Sequence, residues 1–517
     1  MSHLLHTDLW ATWNLKLPHI TISSATVVVG LLIVSLVFHK GIRERCISII
    51  AVWPFFTRRY DFLRSNLSGR NFFSFKVLQH TVTAMKGEEA RKSFYNDKSA
   101  SILEGYKILT GGAPLLKDIN VTVETQENVT AFNKQLLMML GKERLSEIIP
   151  ALFDNLQNQM YAWGKEGTLD PFKNVYGIVF RLTVGMATSR ELLADTKALE
   201  RLQHYYWVLE KSATPSALLL PNWVPVPGKI KRLLALKNLY FDLLKFVDKR
   251  RAATVPNSDA IDFMIAQGKT NEEVVGVVLG VIFAGVVNTG ITGRDILLCL
   301  CLALIYIFIQ ACWILLYITF YGEWKKKISV EVQTLVQKHT NTTSSDPLHK
   351  RLAAIPISVW EDEMPVLEAV LRETLRMAIN GTTLRRNLLE DLNIQGEIIS
   401  KGEFMAYSQA DAHMDPDIYA KPKAFDPERF SIGRAEDKHQ THAFLGWGAG
   451  RHPCTGMKVA KLEIKIIVAM FVAGYEFDIV DSQGKFPKAV PNPNFNDIHQ
   501  ARPIGDPCFL KFKRVVE

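Results

Sequence analysis

The sequence is short of cysteine, and what it has is not paired. Six cysteines in 517 residues, at positions 46, 299, 301, 312, 454 and 508, show no spacing that builds a disulfide framework or a zinc site. That favours a reducing compartment. Lys/Arg clusters interleaved with aromatics on one element are missing, so no nucleic acid is expected as a partner. Internal repeats and low-complexity tracts are absent. Charge is not extreme either: a net +9 with 22% charged residues excludes a disordered chain and suits an acidic partner or an anionic membrane face. At 517 residues, 48% of them apolar, the chain exceeds the size at which one core saturates. It fits one large domain with a smaller appendage, or two domains.

One charge-free apolar run stands near the N-terminus, from Ile20 to Phe38. As an α-helix it would span roughly 28 Å, about the thickness of a hydrocarbon core. His39, Lys40, Arg43 and Arg45 follow at once, which places the C-terminal side in the cytosol. The basic cluster follows the run, and no small-residue cleavage site closes it, so a signal anchor is expected instead of a cleaved signal peptide. Residues 1–45 are therefore read as membrane anchor and flanks, and 46–70 as a basic, aromatic linker suited to anionic headgroups through Arg58, Arg59, Arg64 and Arg70. Residues 71–517 form the remaining domain.

Within that domain, Phe73 to Lys86 alternates as strand and Gly87 opens a short helix over Glu88–Tyr95. Helical patterns dominate from Asn128 to Arg251. They are broken at Leu218–Pro227, where three prolines forbid a helix and leave an apolar loop, either an interface or a loop packed on its own domain. Further helices are expected over Asn271–Val287, Glu323–His339 and Trp360–Met377, with short strands around Asn393–Glu397. Many helices with a few short strands make a mainly α, α+β protein.

The chemistry concentrates in Trp447-Gly448-Ala449-Gly450-Arg451-His452-Pro453-Cys454-Thr455-Gly456. A thiolate needs positive charge, backbone N–H groups or a metal to stay deprotonated. Glycines let such a loop turn tightly and approach a flat macrocycle. The order W-G-x-G-x-H-x-C-x-G resembles the cysteine loop of the cytochrome P450 family, F-x-x-G-x-[HR]-x-C-x-G, with Trp447 where that family normally has Phe. Glu373-Thr374-Leu375-Arg376 and Phe425-Asp426-Pro427-Glu428-Arg429-Phe430 precede it, in the order and spacing of the family's E-x-x-R and meander motifs. The resemblance implies a haem with Cys454 as axial metal ligand. It also implies a buried structural network of Glu373, Arg376 and Arg429. His452, Arg451 and Trp447 would contact the haem, as would Arg385 or Arg386 at a propionate. The family's Trp-x-x-x-Arg propionate site has no match in Asn128–Leu145. Ile108–Leu116 corresponds to a loop that covers the substrate, and Leu218–Pro227 to the lip of an access channel.

The oxygen-side helix reads Phe283-Ala284-Gly285-Val286-Val287-Asn288-Thr289-Gly290. Most family members have A-G-x-[DE]-T here. Val287 stands in the acid position and Asn288 in the alcohol position. The A-x-x-x-N-T order resembles the branch that contains bile-acid-forming steroid hydroxylases. Ala284, Gly285, Asn288 and Thr289 are therefore the expected catalytic positions. Asn288 can donate a hydrogen bond and hold a water, but it does not titrate near neutral pH.

Past this point the pattern breaks. The family-like continuation resumes at Ala311-Cys312-Trp313, after Thr292 to Gln310. Dropping about eighteen or nineteen residues, roughly five helical turns, restores the match. Residues 292–310 are read as an insertion foreign to the fold, such as translated intron sequence. A second membrane span is the alternative.

The resemblance implies a P450 fold with an N-terminal transmembrane anchor in the endoplasmic reticulum membrane and the catalytic domain facing the cytosol. It implies an NADPH-dependent monooxygenase served by NADPH–cytochrome P450 reductase, with cytochrome b5 as a further donor. The expected substrate is an apolar small molecule, a sterol, terpenoid or polycyclic aromatic, in secondary metabolism or xenobiotic oxidation. Two rivals stay open: a reductase-independent haem–thiolate peroxide isomerase, and a catalytically silent haem-binding membrane protein disabled by the insertion.

Overall fold

The structure, a computed structural model, describes residues 50–102, 104–105, 108, 138, 141–220, 224–253, 259–284, 303–340, 345–497 and 501–516. The chain divides into two units, Met1–Trp53 and Pro54–Glu517. In the first, the described residues 50–53 are helical. The expected anchor over 20–38 lies outside the described residues, as does the loop over 109–116. Among the described residues no helix is long and apolar enough to cross a membrane.

The second unit begins with α1 (Arg59–Asn66) and a hairpin of β1 (Phe72–Val77) and β2 (His80–Met85). The single strand expected over Phe73–Lys86 is thus two, turned at Leu78, whose φ of +55° is left-handed. Then follow α2 (Glu88–Asn96) and the short β3 (Ala100–Ser101). A helical body comes next: α3 (Lys142–Tyr161), β4 (Glu166–Leu169), α4 (Pro171–Ala187), α5 (Thr196–Lys211), α6 (Pro227–Arg251) and α7 (Asn271–Ala284). Asp170 caps α4 by accepting from the Phe172 N–H, with Pro171 in the first turn where its missing N–H costs nothing. At the proline-broken loop, Pro215–Leu219 is a short helix with Leu219 buried. Residues 221–223 lie outside the described residues.

Next come α8 (Ala303–Phe320), α9 (Gly322–His339) and α10 (Pro365–Ala378). The helix expected over Trp360–Met377 is two helices, Ile357–Asp362 and α10. Pro365 disfavours helical geometry at the residue before it, and Met364 sits at φ −123°, ψ 60°. β5 (Thr382–Asn387), the hairpin β6 (Leu392–Ile394) and β7 (Glu397–Ile399), and β8 (Phe404–Ser408) follow. The five-stranded sheet runs β1-β2-β8-β5-β3, with β2 and β8 parallel and the other neighbours antiparallel.

The chain closes with β9 (Gly448–Ala449), β10 (His452–Pro453), α11 (Met457–Gly474), β11 (Tyr475–Val480) and β12 (Phe509–Arg514). A second sheet runs β11-β12-β4.

The core centres on α8. Every residue from Ala311 to Ile318 has 0% exposure, and the helix packs against α4, α10 and α11. The Trp313 ring meets Phe172 edge-on at 5.9 Å, and Tyr317 stacks on Phe425 at 4.7 Å. Burial on all sides over residues 309–318 explains why that part of the helix is apolar all round.

Candidate active site

The cysteine loop is a tight hairpin. β9 and β10 pair antiparallel, His452 with Ala449 and Pro453 with Gly448, and the Cys454 N–H donates to the Trp447 carbonyl at 2.7 Å. Gly450, at φ +60°, lies so close to α2 that a Cβ there would stand 2.3 Å from the Tyr95 carbonyl oxygen. That carbonyl accepts from the Arg451 N–H at 3.1 Å. The loop is therefore pinned to the C-terminal end of α2, and α11 leaves from Met457 directly behind Cys454. Burial pushes the Cys454 thiol up, while the Gly456 N–H pulls the other way.

Two cationic side chains converge beside this hairpin. The His452 imidazole is pushed down to about 4, first by burial and then by the Arg385 and Arg451 guanidiniums. Arg385 donates to the Phe94 and Tyr95 carbonyls at 2.7 and 3.2 Å, at the negative end of the α2 dipole. Its neighbour Arg386 faces the other way along β5. It bonds Glu104 at 3.1 Å and the Gly402 carbonyl at 3.0 Å, fully buried. Strand alternation thus separates the two arginines: Arg385 reaches the cysteine hairpin, and Arg386 serves a buried ion pair.

Behind the hairpin, Glu373 and Arg376 of α10 form a bidentate pair at 2.7 and 2.8 Å with both side chains at 0% exposure. Arg429 donates to the same carboxylate at 3.1 Å. Arg376 also holds the His413 and Pro422 carbonyls at 2.7 Å each, and Arg429 holds those of Lys421 and Ala424. The Asp426 N–H closes onto Glu373 at 3.0 Å. Such planar guanidinium forks clamp the irregular 420–430 segment from inside. Glu436, which accepts from Arg429 at 2.8 Å, is a fourth member that no sequence motif signalled.

Two further buried groups went unread in the sequence. His413, at 0% exposure, lies between the Ile379 carbonyl at 3.1 Å and the Leu445 N–H at 2.9 Å. Glu463 on α11 accepts from the Thr183 hydroxyl of α4 at 3.0 and 3.2 Å, and burial pushes its carboxyl up to about 8.

On the oxygen side, Ala284 is the last described residue of α7. Gly285, Asn288 and Thr289 lie outside the described residues.

A cytochrome P450 family profile matches residues 62–303 and 309–495, nearly the whole second unit. The chain belongs to the cytochrome P450 family. It is similar to the cytochrome P450 monooxygenase AacuE of Aspergillus aculeatus, 25% identical over 451 residues covering 85% of this chain and 86% of the relative. It is 28% identical to the cytochrome P450 monooxygenase nsrP of Aspergillus novofumigatus, over 81% of this chain and 79% of the relative. The sterol 14-demethylase of Arabidopsis thaliana is 24% identical over 88% of this chain and 91% of its own. A retinoic acid-bound cyanobacterial P450, CYP120A1, superposes with a TM-score of 0.64 at 18% identity, covering 90% of this chain and 97% of the other. That structure speaks for the fold alone.

As a P450, the protein is a monooxygenase, and its cofactor is a haem held by a cysteine thiolate. The hairpin fits that group. Cys454 sits half-buried with an amide N–H directed at its sulfur, and a metal cation would reverse the effect of burial on the thiol. The charges that depress His452 are both cationic, a setting made for anionic carboxylates. The Trp447 Nε1, buried beside the loop, bonds to no protein atom among the described residues. The other described cysteines fit poorly. Cys312 is fully buried in α8 with its thiol donating to the Pro171 carbonyl at 3.2 Å, and Cys508 is buried in the C-terminal segment.

Proposed function

We propose that this P450 hydroxylates an apolar small molecule of the sterol, terpenoid or polycyclic aromatic kind, in secondary metabolism or xenobiotic oxidation. The observation that carries the reading is the Cys454 hairpin, pinned to α2 and backed by the buried Glu373–Arg376–Arg429 clamp. Cys454 would hold the iron, and Arg385, His452 and Arg451 would hold the propionates, with Trp447 against the macrocycle. Bound there, the haem supplies oxygen activation. Asn288 and Thr289 would position water and protons on the opposite side, with Ala284 and Gly285 leaving room for them. The sterol 14-demethylase among the relatives supports a sterol-like substrate, and the fungal relatives support the monooxygenase reaction.

Electrons would come from NADPH through NADPH–cytochrome P450 reductase, with cytochrome b5 as a possible second donor. Lys458, its side chain 76% exposed in the first turn after the cysteine loop, and the exposed Arg451 offer such a partner's acidic surface a cationic face. Residues 1–45 would anchor the enzyme in endoplasmic reticulum lipid, as a single pass with the catalytic domain on the cytosolic side. Purified protein is titrated against sterols, terpenoids and polycyclic aromatics for Soret shifts, and turnover is assayed with and without NADPH and reductase. Turnover of a peroxide without NADPH would favour an isomerase.

The second reading, a form disabled by residues 292–310, has its own support. α8 runs without a break from Ala303 through Gln310 into Ala311. Gln310 is 1% exposed, and neither of its amide atoms has a hydrogen-bond partner among the described residues, an arrangement that costs on the order of several kcal/mol. The family match, however, runs through residue 303 and resumes at 309, so it is interrupted only over 304–308. Removing 292–310 would join Ile291 to Ala311, so that 284–291 took the helical positions that 303–310 fill now. By that count, Leu304, Ile307 and Phe308 stand in the sequence where Gly285, Asn288 and Thr289 would fall.

A further inference from the structure

In the chain between α10 and the cysteine hairpin lies a short helical turn, Gln409–His413, and the polar side chains at its two ends grip the same residue, Leu445. The His413 Nε2 accepts the Leu445 N–H at 2.9 Å, and the Gln409 Nε2 donates to the Leu445 carbonyl at 3.2 Å. That carbonyl also accepts the Gly448 N–H at 3.0 Å, at the first residue of β9. On its other side, the His413 Nδ1 donates to the Ile379 carbonyl at 3.1 Å, just past the end of α10. The His413 carbonyl accepts from Arg376 of the buried clamp at 2.7 Å.

These partners determine the state of the ring. A carbonyl can only accept and a backbone N–H can only donate, so the imidazole must be neutral, with its proton on Nδ1. Burial and the Arg376 charge push His413 down to about 3, in agreement with that state. A protonated ring would set N–H against N–H at Leu445.

We infer that His413 is a positioning residue for the thiolate loop: a neutral imidazole bridge that ties the Leu445–Cys454 hairpin to the end of α10. The inference rests on the reading of Cys454 as the haem ligand. The path is continuous in the structure, from Glu373–Arg376 to the His413 turn, then Leu445, Gly448 and the Trp447 carbonyl that receives the Cys454 N–H. The Glu–Arg clamp thus holds the meander, and His413 passes that constraint across to the loop. Without the bridge the hairpin would lose its hold at the start, nine residues before the sulfur, and the Cys454 N–H would loosen with it.

The test uses full-length His413→Leu, His413→Asn and His413→Gln, each compared with wild type and Cys454→Ala. An extended amide such as Gln can span both partners, whereas Asn is too short for both and Leu reaches neither. Hydrogen exchange of peptides covering 445–454 in the haem-depleted proteins is read first, because it does not depend on a bound cofactor. His413→Asn and His413→Leu should exchange there about tenfold faster or more, with His413→Gln close to wild type. In the haem-loaded proteins, the ferrous–carbonyl spectra of Asn and Leu should shift from the thiolate to the neutral-ligand form, and Gln should restore it. Should His413→Leu not accumulate, the Asn and Gln pair decides. Wild-type exchange and a wild-type spectrum in His413→Asn overturn the proposal, as does His413→Gln behaving like Asn. If Cys454→Ala keeps the thiolate band, the ligand reading fails, while the exchange data still decide the bridge.

Discussion

Glu463→Gln should make the protein more stable at alkaline pH and leave it nearly unchanged near pH 5. The Glu463 side chain sits on α11 at 1% exposure and accepts a hydrogen bond from the Thr183 hydroxyl. Burial raises its carboxyl from the ordinary 4.5 to about 8. The folded chain therefore keeps a proton that the unfolded chain has lost above pH 4.5, and stability falls as pH rises from there through 8. At ~1.4 kcal/mol per pH unit the cost reaches about 3 kcal/mol by pH 7 and about 5 by pH 9. Glutamine matches the shape, keeps an oxygen for Thr183 and removes the titration. At ~2 cal/mol/K of unfolding entropy per residue, a body of this length shifts Tm by roughly 1 °C per kcal/mol. Thermal unfolding of both proteins, at equal haem loading and one scan rate, should give curves that converge near pH 5. The variant should stand about 3–5 °C higher by pH 8–9. A constant offset across that range would show that the carboxyl does not titrate with folding, and would refute the reasoning.

Glu373→Ala leaves Arg376 and Arg429 buried without their shared carboxylate, which costs roughly 3–5 kcal/mol. It should fail by loss of folded, haem-loaded protein, and normal haem occupancy with a wild-type melting temperature would contradict the clamp. Deleting Thr292–Gln310, to within a residue or two, should raise the yield of the thiolate–carbonyl spectrum and the turnover. Equal yield and equal turnover in the full-length protein would mean that the segment is accommodated. His452→Gln removes the neutral imidazole beside the proposed propionates. It should weaken haem retention without shifting the Soret band; unchanged haem transfer to apomyoglobin would remove His452 from the site.

The parts of the site that sequence could announce are those set by local spacing. Glu373 and Arg376 are three apart on one helix, Arg429 lies in a recognisable turn, and the glycines around Cys454 mark a hairpin by themselves. What needed the structure was contact across long stretches of chain. Glu436 joins Arg429 only because the meander folds back, and His413 meets Leu445 from 32 residues away. Between Arg385 and Arg386 the sequence offered no choice, since which face of β5 meets the hairpin depends on its pairing with β3 and β8. The break at Met364 was legible and passed over, because Pro365 in the middle of an apolar pattern is itself a boundary signal. The all-round apolar character of α8 left two meanings, a membrane span or a core helix. Its neighbours α4, α10 and α11 decide for the core over residues 309–318.

The most direct test of the account is the ferrous–carbonyl spectrum of Cys454→Ala beside wild type, Cys312→Ala and Cys508→Ala. Each is expressed both as the full chain and without Thr292–Gln310. Wild type, Cys312→Ala and Cys508→Ala should share the red-shifted Soret band of thiolate ligation, most strongly in the shortened form, and Cys454→Ala should lose it in both. A thiolate band that survives in Cys454→Ala, or disappears in Cys312→Ala while the protein stays folded, would place the haem on another cysteine and contradict the site.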